Sequence, residues 1–238
     1  SAAASFNPAH RLIDQTIEAT VGHAVATDIE ARKDAVELYG ALSLPDPKEI
    51  GQRYPHQVSG GQLQRVMTAM AMSPRPDLII FDEPTTALDV TVQAQILDLM
   101  KELQAEYNMA IVLITHDLGV IAEAAKDVLV MYGGRIVERS TVEALFSEPT
   151  HPYAWGLLGA VNSLESSGRG ALVTIAGSPP SLIALPPGCS FNPRCSYSSD
   201  ICRTEIPLLR AVGTQGSVAA CHLPEGDILS LGRKAASR

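Results

Sequence analysis

The fold is indicated most clearly by residues 77–84, which read Asp77-Leu78-Ile79-Ile80-Phe81-Asp82-Glu83-Pro84. Four consecutive apolar residues end abruptly in two acids. This pattern is typical of a parallel β-strand that is buried on both faces and carries polar groups at its carboxyl end. We therefore expect Asp82 and Glu83 to lie at the carboxyl edge of a parallel sheet.

A helix and a second strand are predicted to follow this first strand. The helix is indicated by apolar residues at helical spacing, namely Val92, Ile96, Leu99, Met100 and Leu103. The second strand covers Ala110 to Thr115 and ends at His116. A strand, helix and strand in this order form a βαβ unit, whose ligands bind beyond the carboxyl ends of the strands. The sequence thus predicts an α/β domain with a ligand site near Glu83 and His116.

Composition limits the remaining possibilities. The 238 residues are 46% hydrophobic and 18% charged, which predicts a globular rather than a disordered chain. The formal net charge is -8 and no run of lysine or arginine interrupts it, so nucleic acid is not an expected partner. The longest apolar runs, such as Met109 to Ile114, are far shorter than the roughly 18 residues that a membrane-spanning helix needs.

The regions on either side of the βαβ unit differ from it in composition. Residues 8–56 carry apolar residues at helical spacing and predict a helical region. Gly133-Gly134 lies between two short apolar-rich strands, and this dipeptide favours a two-residue β-hairpin turn because both positions need a positive φ. From Glu148 onward prolines are frequent, which indicates a second, loop-rich module. This module contains all four cysteines of the chain: Cys189, Cys195, Cys202 and Cys221.

A candidate anion site precedes the βαβ unit. Residues 58–62 read Val58-Ser59-Gly60-Gly61-Gln62 and are followed by a predicted helix from Leu63. The amide groups at a helix amino terminus attract anions such as phosphate. Taken alone, however, the segment is explained better by a glycine turn with a serine helix cap.

Four motifs together resemble the ATP-binding cassette (ABC) ATPases. Residues 58–62 are similar to the signature LSGGQ of that family, and residues 78–84 are similar to its Walker B strand. Ala87-Leu88-Asp89 resembles its D-loop, and Thr115-His116-Asp117 resembles its switch-histidine segment. The motifs also follow the family's order. The resemblance implies an α/β remnant of a P-loop NTPase, with a parallel sheet, a helical signature subdomain and a small Cys-rich extension.

The resemblance implies roles for these residues in ATP hydrolysis. Asp82 would hold Mg²⁺ largely through water, and Glu83 would orient or deprotonate the attacking water. His116 would contact the γ-phosphate. Without the other motifs, Glu83 would be interpreted as a surface acid and His116 as a loop histidine. The nucleotide-binding residues expected by resemblance are Ser59, Gly60, Gly61, Gln62, Asp82 and Asp89.

The glycine-rich loop that grips ATP in this class is absent from the sequence. The pattern GxxxxGK(S/T) needs a Gly-Lys dipeptide, and the chain contains none. Ser5-Phe6-Asn7-Pro8 resembles the family segment shortly after the Q-loop glutamine. We therefore expect the chain to begin inside a longer ATPase and to lack the Walker A half. Without the first strands, the parallel sheet is expected to expose apolar faces.

The proline- and cysteine-rich module resembles the C-terminal extension of oligopeptide and dipeptide importer ATPases. The similarity lies in Pro149-Thr150-His151-Pro152-Tyr153 and in the segments around the cysteines. The expected domains are therefore a helical signature subdomain (1–75), a core part with Walker B and the switch histidine (76–147), and the importer extension (148–238).

The cysteines themselves suggest a metal centre. They are spaced Cys-x5-Cys-x6-Cys-x18-Cys, unlike the short Cys-x2-4-Cys pairs of zinc modules, and four thiolates can ligate an iron-sulfur cluster. The extension is similar to ones that carry a 4Fe-4S cluster, so we expect such a cluster here. Two alternatives stay open: a zinc site, in which His222 could replace the fourth cysteine, and free or paired thiols.

As a whole, the resemblance implies the ATP-hydrolysing subunit of a peptide importer at the cytoplasmic face of the inner membrane. The expected cofactors are ATP, Mg²⁺ and the 4Fe-4S cluster. The expected partners are a second ATPase subunit, two transmembrane permeases and an extracytoplasmic peptide-binding protein. Two other functions stay open: an ABC ATPase that works without a permease, as in DNA repair, and a non-catalytic module whose cysteines sense redox state or metal.

Overall fold

The computed structural model describes residues 2–84, 90–165, 174–213 and 216–237. The chain forms two compact units, Ser1–His116 and Asp117–Arg238. The expected domain boundaries near residues 75 and 147 fall inside these units, and the three-part division stays a prediction. No helix in the described ranges combines the length and the apolar character needed to cross a membrane.

The first unit contains a helical region followed by a strand, a helix and a strand. Its elements are α1 (Ala2–Ser5), α2 (Leu12–Gly22), α3 (Asp28–Ala41), α4 (Pro47–Ile50), α5 (Gly60–Met72), β1 (Leu78–Asp82), α6 (Val90–Tyr107) and β2 (Ala110–Ile114). Apolar side chains at the predicted helical spacing are buried between α2 and α3, where Ile13 and Ile17 pack with Ala31 and Ala35. The predicted helical region is therefore confirmed.

Strands β1 and β2 form the parallel pair that the sequence predicts. Leu78 pairs with Ala110 and Ile80 with Val112, and α6 connects the two strands. One expectation is wrong, because β1 is not buried on both faces. Its side chains alternate between exposed and buried: Ile79 is 4% exposed and Ile80 is 61% exposed.

The exposed face of this strand pair is apolar, which agrees with the expectation that the parallel sheet exposes apolar side chains. A strand is buried on both faces only when other elements cover both sides, and the described residues cover only one side of this pair. The side chains left in solvent are those of Leu78, Ile80, Val112 and Ile114.

The second unit contains a small antiparallel sheet surrounded by helices. Its elements are α7 (Leu118–Ala124), β3 (Asp127–Tyr132), β4 (Arg135–Thr141), α8 (Val142–Ser147), α9 (Pro152–Glu165), α10 (Asp200–Thr204), β5 (Arg210–Ala211), β6 (Val218–Ala219) and α11 (Glu225–Ala236). The strand order is β3-β4-β6-β5. Gly133 and Gly134 have φ values of 56° and 73° between β3 and β4, which confirms the predicted hairpin.

Strand β6 connects the proline- and cysteine-rich module to this hairpin. Glu138 of β4 pairs with Ala219 of β6, and β5 continues the sheet beyond β6. The extension also contains two long helices, α9 and α11, which contact each other. The predicted loop-rich character therefore applies to residues 174–209, where the described structure is mostly irregular, but not to the whole extension.

Candidate functional site

The signature-like segment lies at the amino terminus of α5. Ser59 is the N-cap residue, and its hydroxyl oxygen accepts a hydrogen bond from the backbone N–H of Gln62 at 3.3 Å. The Gln62 side-chain oxygen accepts in return from the backbone N–H of Ser59 at 3.0 Å. This reciprocal capping box starts the helix and satisfies two backbone donors. The serine cap that the sequence allows is therefore present.

The two glycines of this segment are not explained by the cap. A Cβ added to Gly60 or Gly61 would meet no atom within 4 Å, and neither residue has a positive φ. A glycine in a helix lowers its stability by roughly 0.5–1 kcal/mol relative to alanine. No packing contact with the described residues at these two positions offsets this cost. The glycines instead leave the amino end of α5 open to close approach from outside.

The two predicted acids lie where β1 ends. Asp82 is the last residue of the strand and is exposed to solvent. Glu83 follows with a φ of 51°, a left-handed conformation that costs a non-glycine residue about 1–3 kcal/mol. The backbone N–H of Glu83 donates to the carbonyl oxygen of Ile114 at 2.9 Å. This bond ties the turn after β1 to the end of β2.

Glu83 and His116 meet at this carboxyl edge. The His116 Nδ1 lies 2.8 Å from the Glu83 Oε1, and the side chains are 80% and 38% exposed. A carboxylate can only accept, so Nδ1 carries the proton in this pair. The structure thus brings together the two residues that the sequence assigns to the attacking water and the γ-phosphate. Asp89 of the D-loop motif lies outside the described residues.

The four cysteines line one cavity in the second unit. His151, Phe191 and His222 also contribute to its wall. The Nε2 of His222 lies 3.0 Å from the Glu205 carbonyl oxygen, so this nitrogen is a donor. The Nδ1 of His151 accepts the backbone N–H of Tyr153 at 3.0 Å, so this nitrogen is already used.

Burial controls the protonation of the thiols. It raises the pKa of Cys189 and Cys221 and raises that of Cys195 to about 11. Neighbouring thiols add to this effect in each case. Backbone N–H groups of Phe191, Tyr197 and Leu223 oppose it by hydrogen-bonding Cys189, Cys195 and Cys221, respectively. Binding of a metal centre at these sulfurs would therefore release protons.

Gly188 holds two cysteine segments together, a role that the sequence does not predict. Its φ is 73°, and a Cβ at this position would collide with the carbonyl oxygen of Cys202. The next residue, Cys189, donates its backbone N–H to that same carbonyl at 2.9 Å. The signal in the sequence is only a glycine directly before a cysteine, which predicts neither contact.

The cysteine cavity does not have the geometry of a preformed site for one ion. Within the described ranges, no three or more His, Cys, Asp or Glu side chains are grouped so that they could hold a metal ion. In a tetrahedral zinc site with Zn–S bonds of about 2.3 Å, the sulfurs lie only about 3.8 Å apart.

A buried acid is the second feature that the sequence did not reveal. Glu138 is 0% exposed, and its carboxylate accepts the backbone N–H groups of Thr150 and His151 at 2.9 and 2.7 Å. Burial outweighs these two bonds and raises the pKa of Glu138 to about 7. Burial also lowers the pKa of His151 to about 4. The His-Pro-Tyr segment thus begins α9 while bound to the sheet through Glu138.

Two protein-family descriptions match separate parts of the chain. "ABC transporter" matches residues 3–86. "Oligopeptide/dipeptide transporter, C-terminal region" matches residues 137–202. The first range includes the signature-like segment and the end of β1, and the second includes Glu138 and three of the four cysteines.

Curated relatives match nearly the whole chain. The oligopeptide transport ATP-binding protein OppD of Salmonella typhimurium is 46% identical over 225 residues, which is 94% of this chain and 66% of OppD. The dipeptide transport ATP-binding protein DppD of Escherichia coli is 45% identical over 223 residues, 94% of this chain and 68% of DppD. The oligopeptide transport ATP-binding protein AppD of Bacillus subtilis is 47% identical, over 93% of this chain and 67% of AppD.

The chain spans about two thirds of the length of these relatives. Identity near 45% across that span confirms the resemblance that the motifs indicate. The βαβ arrangement of β1, α6 and β2 is the α/β architecture expected of such an ATPase. The chain therefore belongs to the ABC family of oligopeptide and dipeptide transport ATP-binding proteins.

Proposed function

We propose that this chain is the larger part of an ATP-hydrolysing subunit that drives uptake of oligopeptides or dipeptides. The observation that carries the proposal is the Glu83–His116 pair, 2.8 Å apart at the carboxyl ends of two parallel strands. Ligands of such sheets bind beyond this edge. A carboxylate held by an imidazole next to an exposed aspartate is a suitable arrangement for directing water at a phosphate.

In the proposed reaction, each residue has a separate task. Glu83 orients the attacking water and takes its proton, while His116 holds the Glu83 carboxylate and contacts the γ-phosphate. Asp82 would hold Mg²⁺ through water, and the ion would neutralise phosphate charge. The glycine-rich loop that grips the phosphates would come from a segment outside these 238 residues.

The signature segment serves a second ATPase subunit in this proposal. The open space in front of Gly60 and Gly61 and the exposed α5 amino terminus suit an approaching phosphate held by another chain. Further partners would be two permeases and an extracytoplasmic peptide-binding protein, with the ATPase at the cytoplasmic face of the membrane. Asp89 would complete the nucleotide site from the D-loop.

The experiment uses a longer chain in which the phosphate-gripping loop is present, purified with its permeases in vesicles. Glu83→Gln is expected to keep ATP binding but to lower turnover and peptide uptake at least about 100-fold, the scale of losing a general base. Glu102→Gln, an exposed acid on α6, is the matched control and should behave as the wild type. The 238-residue chain alone should hydrolyse ATP no faster than buffer.

Three results would count against this function. Unchanged turnover of Glu83→Gln would remove Glu83 from the reaction. Robust hydrolysis by the 238-residue chain would show that the missing loop is not needed. Purification of the longer ATPase without permeases, but with DNA or ribosomes, would favour the cassette ATPases that work outside transport.

We further propose that Cys189, Cys195, Cys202 and Cys221 bind one 4Fe-4S cluster. The four thiols line a single cavity, and four thiolates are the ligand set that such a cluster takes. Each thiolate of a cluster binds a different iron, so the four sulfurs would not have to meet at one point as they do around a zinc ion. The cluster would fasten an extension in which residues 174–209 are mostly irregular.

Anaerobic purification followed by iron and acid-labile sulfide analysis tests the cluster. About four irons and four sulfides per chain are expected, with loss of both in Cys195→Ser. A colourless protein with one zinc, or with four titratable thiols and an ordered extension, would contradict the cluster. The thiol result would instead favour a module that senses redox state.

A further inference from the structure

The sulfur of Cys202 has a side-chain hydroxyl as a neighbour. The Cys202 Sγ lies 3.4 Å from the Oγ of Ser199. A side chain, unlike a backbone amide, can be removed by a single substitution.

The position of Ser199 makes this contact unusual. Ser199 is the N-cap residue of α10 (Asp200–Thr204), where a serine hydroxyl ordinarily accepts a hydrogen bond from a backbone N–H of the first turn. Here the side chain makes no such capping bond. The hydroxyl faces the sulfur three residues later, and the backbone of the turn is closed separately by the Cys202 N–H to the Ser199 carbonyl at 3.0 Å.

We propose that Ser199 is a positioning residue for the metal centre, donating its O–H to the Cys202 sulfur and raising the reduction potential of the cluster. The inference rests on the 4Fe-4S cluster proposed above. A free thiol can donate to the hydroxyl or accept from it, but an iron-bound thiolate can only accept. The direction of the hydrogen bond is therefore fixed once Cys202 binds iron.

The expected effect on the potential follows from charge. Reduction adds one electron to the cluster and its thiolates, so a hydrogen bond to a thiolate sulfur favours the reduced form more than the oxidised form. Removing the hydroxyl should therefore lower the potential. A serine hydroxyl does not titrate between pH 6 and 9, so the size of the change should not depend on pH in this range.

The test compares reduction midpoints of the anaerobically purified chain, followed by electron paramagnetic resonance. Ser199→Ala should shift the ratio of reduced to oxidised cluster roughly tenfold toward oxidised at a given potential, equivalent to about 59 mV for one electron. Ser199→Thr keeps the hydroxyl and should stay near the wild type. Ser196→Ala removes an exposed serine from the same loop and should have no effect.

The outcomes separate this inference from the cluster itself. A wild-type chain without iron and sulfide would overturn both proposals. A cluster with the same midpoint in Ser199→Ala and Ser199→Thr would overturn only the role of Ser199. If Ser199→Ala loses its cluster while Ser199→Thr retains it, the hydroxyl is needed and the role is supported. Loss in both variants, with Ser196→Ala intact, would show that the site needs serine for its shape and would overturn the donor role.

Discussion

A Cβ atom added at Gly60 would have different surroundings from one added at Gly188. At Gly60 the space is empty, so the chain's own fold would accept a side chain there. At Gly188 the space is filled by the backbone of Cys202 and the two residues that follow it. The first glycine is therefore available for an external ligand, and the second is required by the local packing.

Gly60→Ala should leave the free energy of unfolding of this chain unchanged or raise it by up to about 1 kcal/mol, because alanine is the better helix former. In a longer cassette that binds ATP, the added methyl should weaken ATP-dependent dimerisation without changing each subunit's own nucleotide affinity. Urea unfolding and size-exclusion chromatography with ATP would measure the two effects.

Gly226→Ala is the matched control for this substitution. Gly226 also lies in the first turn of a helix, and its missing Cβ also faces empty space. Equal weakening of dimerisation by both variants would mean that Gly60 does not contact the partner's nucleotide.

Gly188→Ala is expected to loosen the cysteine cavity. The substitution combines a left-handed φ, which costs about 1–2 kcal/mol, with a backbone collision that cannot relax by rotating a side chain. Gly216→Ala shares the positive φ but meets no atom within 4 Å, so it isolates the cost of the φ alone. Limited proteolysis should cleave residues 185–205 faster in Gly188→Ala than in Gly216→Ala. Equal cleavage rates would contradict the role of Gly188.

At the scale of elements, the sequence predicted the parts whose signals are local. The apolar run from Leu78, the apolar run from Ala110 and the Gly133-Gly134 turn each lie within a few residues, and β1, β2 and the β3–β4 hairpin follow them closely. Helices α9 and α11 were not predicted, because the many prolines of the extension suggested loops. Pro152 instead occupies the first turn of α9, where its missing N–H costs nothing.

The candidate site was predictable to a similar extent. The pairing of Glu83 with His116 follows from two strand ends that meet at one edge. The burial of Glu138 does not follow from local sequence, because it depends on backbone groups of Thr150 and His151 and on a strand much later in the chain. Tertiary contacts of this kind leave no pattern at a fixed spacing.

Glu138 and His151 should oppose each other in the pH dependence of stability. Folding raises the pKa of Glu138 to about 7. The stability that this shift contributes to the folded state is therefore lost as the pH rises from about 4.5 to 7. Folding lowers the pKa of His151 to about 4. The free energy of unfolding therefore increases through this group as the pH rises from about 4 to 6.5. Between pH 4.5 and 6.5 the two effects should largely cancel.

Glu138→Gln should therefore leave the His151 effect unopposed. The free energy of unfolding of the variant should increase with pH by up to about 1.4 kcal/mol per pH unit relative to the wild type between pH 4.5 and 6.5. Urea unfolding at several pH values measures this difference, in which the effects of other titrating groups cancel. Parallel pH profiles for the two proteins would show that Glu138 is ionised in the folded state over this range.

At the scale of the whole molecule, the first unit carries an apolar sheet face in solvent. The face lies on the strand pair β1 and β2, which precedes Glu83 and His116, and the chain spans about two thirds of its relatives' length. Exposed apolar faces on strands favour association between molecules. The exposed face of β1 therefore affects how readily isolated chains associate with one another.

Two neighbouring substitutions should distinguish the buried face of β1 from its exposed face. Ile80→Asn changes a side chain that is 61% exposed, so it should alter the free energy of unfolding by less than about 1 kcal/mol and reduce self-association. Ile79→Asn changes a side chain that is 4% exposed and should destabilise the chain by about 3 kcal/mol or more. Light scattering and urea unfolding distinguish the two, and similar destabilisation by both would mean that the Ile80 face is covered.

The pairing of β4 with β6 sets an order of events during synthesis. Glu138 emerges from the ribosome roughly eighty residues before its strand partner Ala219. At about 5–20 residues per second, the β3–β4 hairpin waits about 4–16 s with one edge unpaired. During this interval nothing from β6 protects the edge of β4, and a nascent chain stalled before residue 218 offers a template for pairing with other strands. A chaperone that recognises unpaired strands therefore has its best opportunity on this protein between completion of the hairpin and arrival of β6.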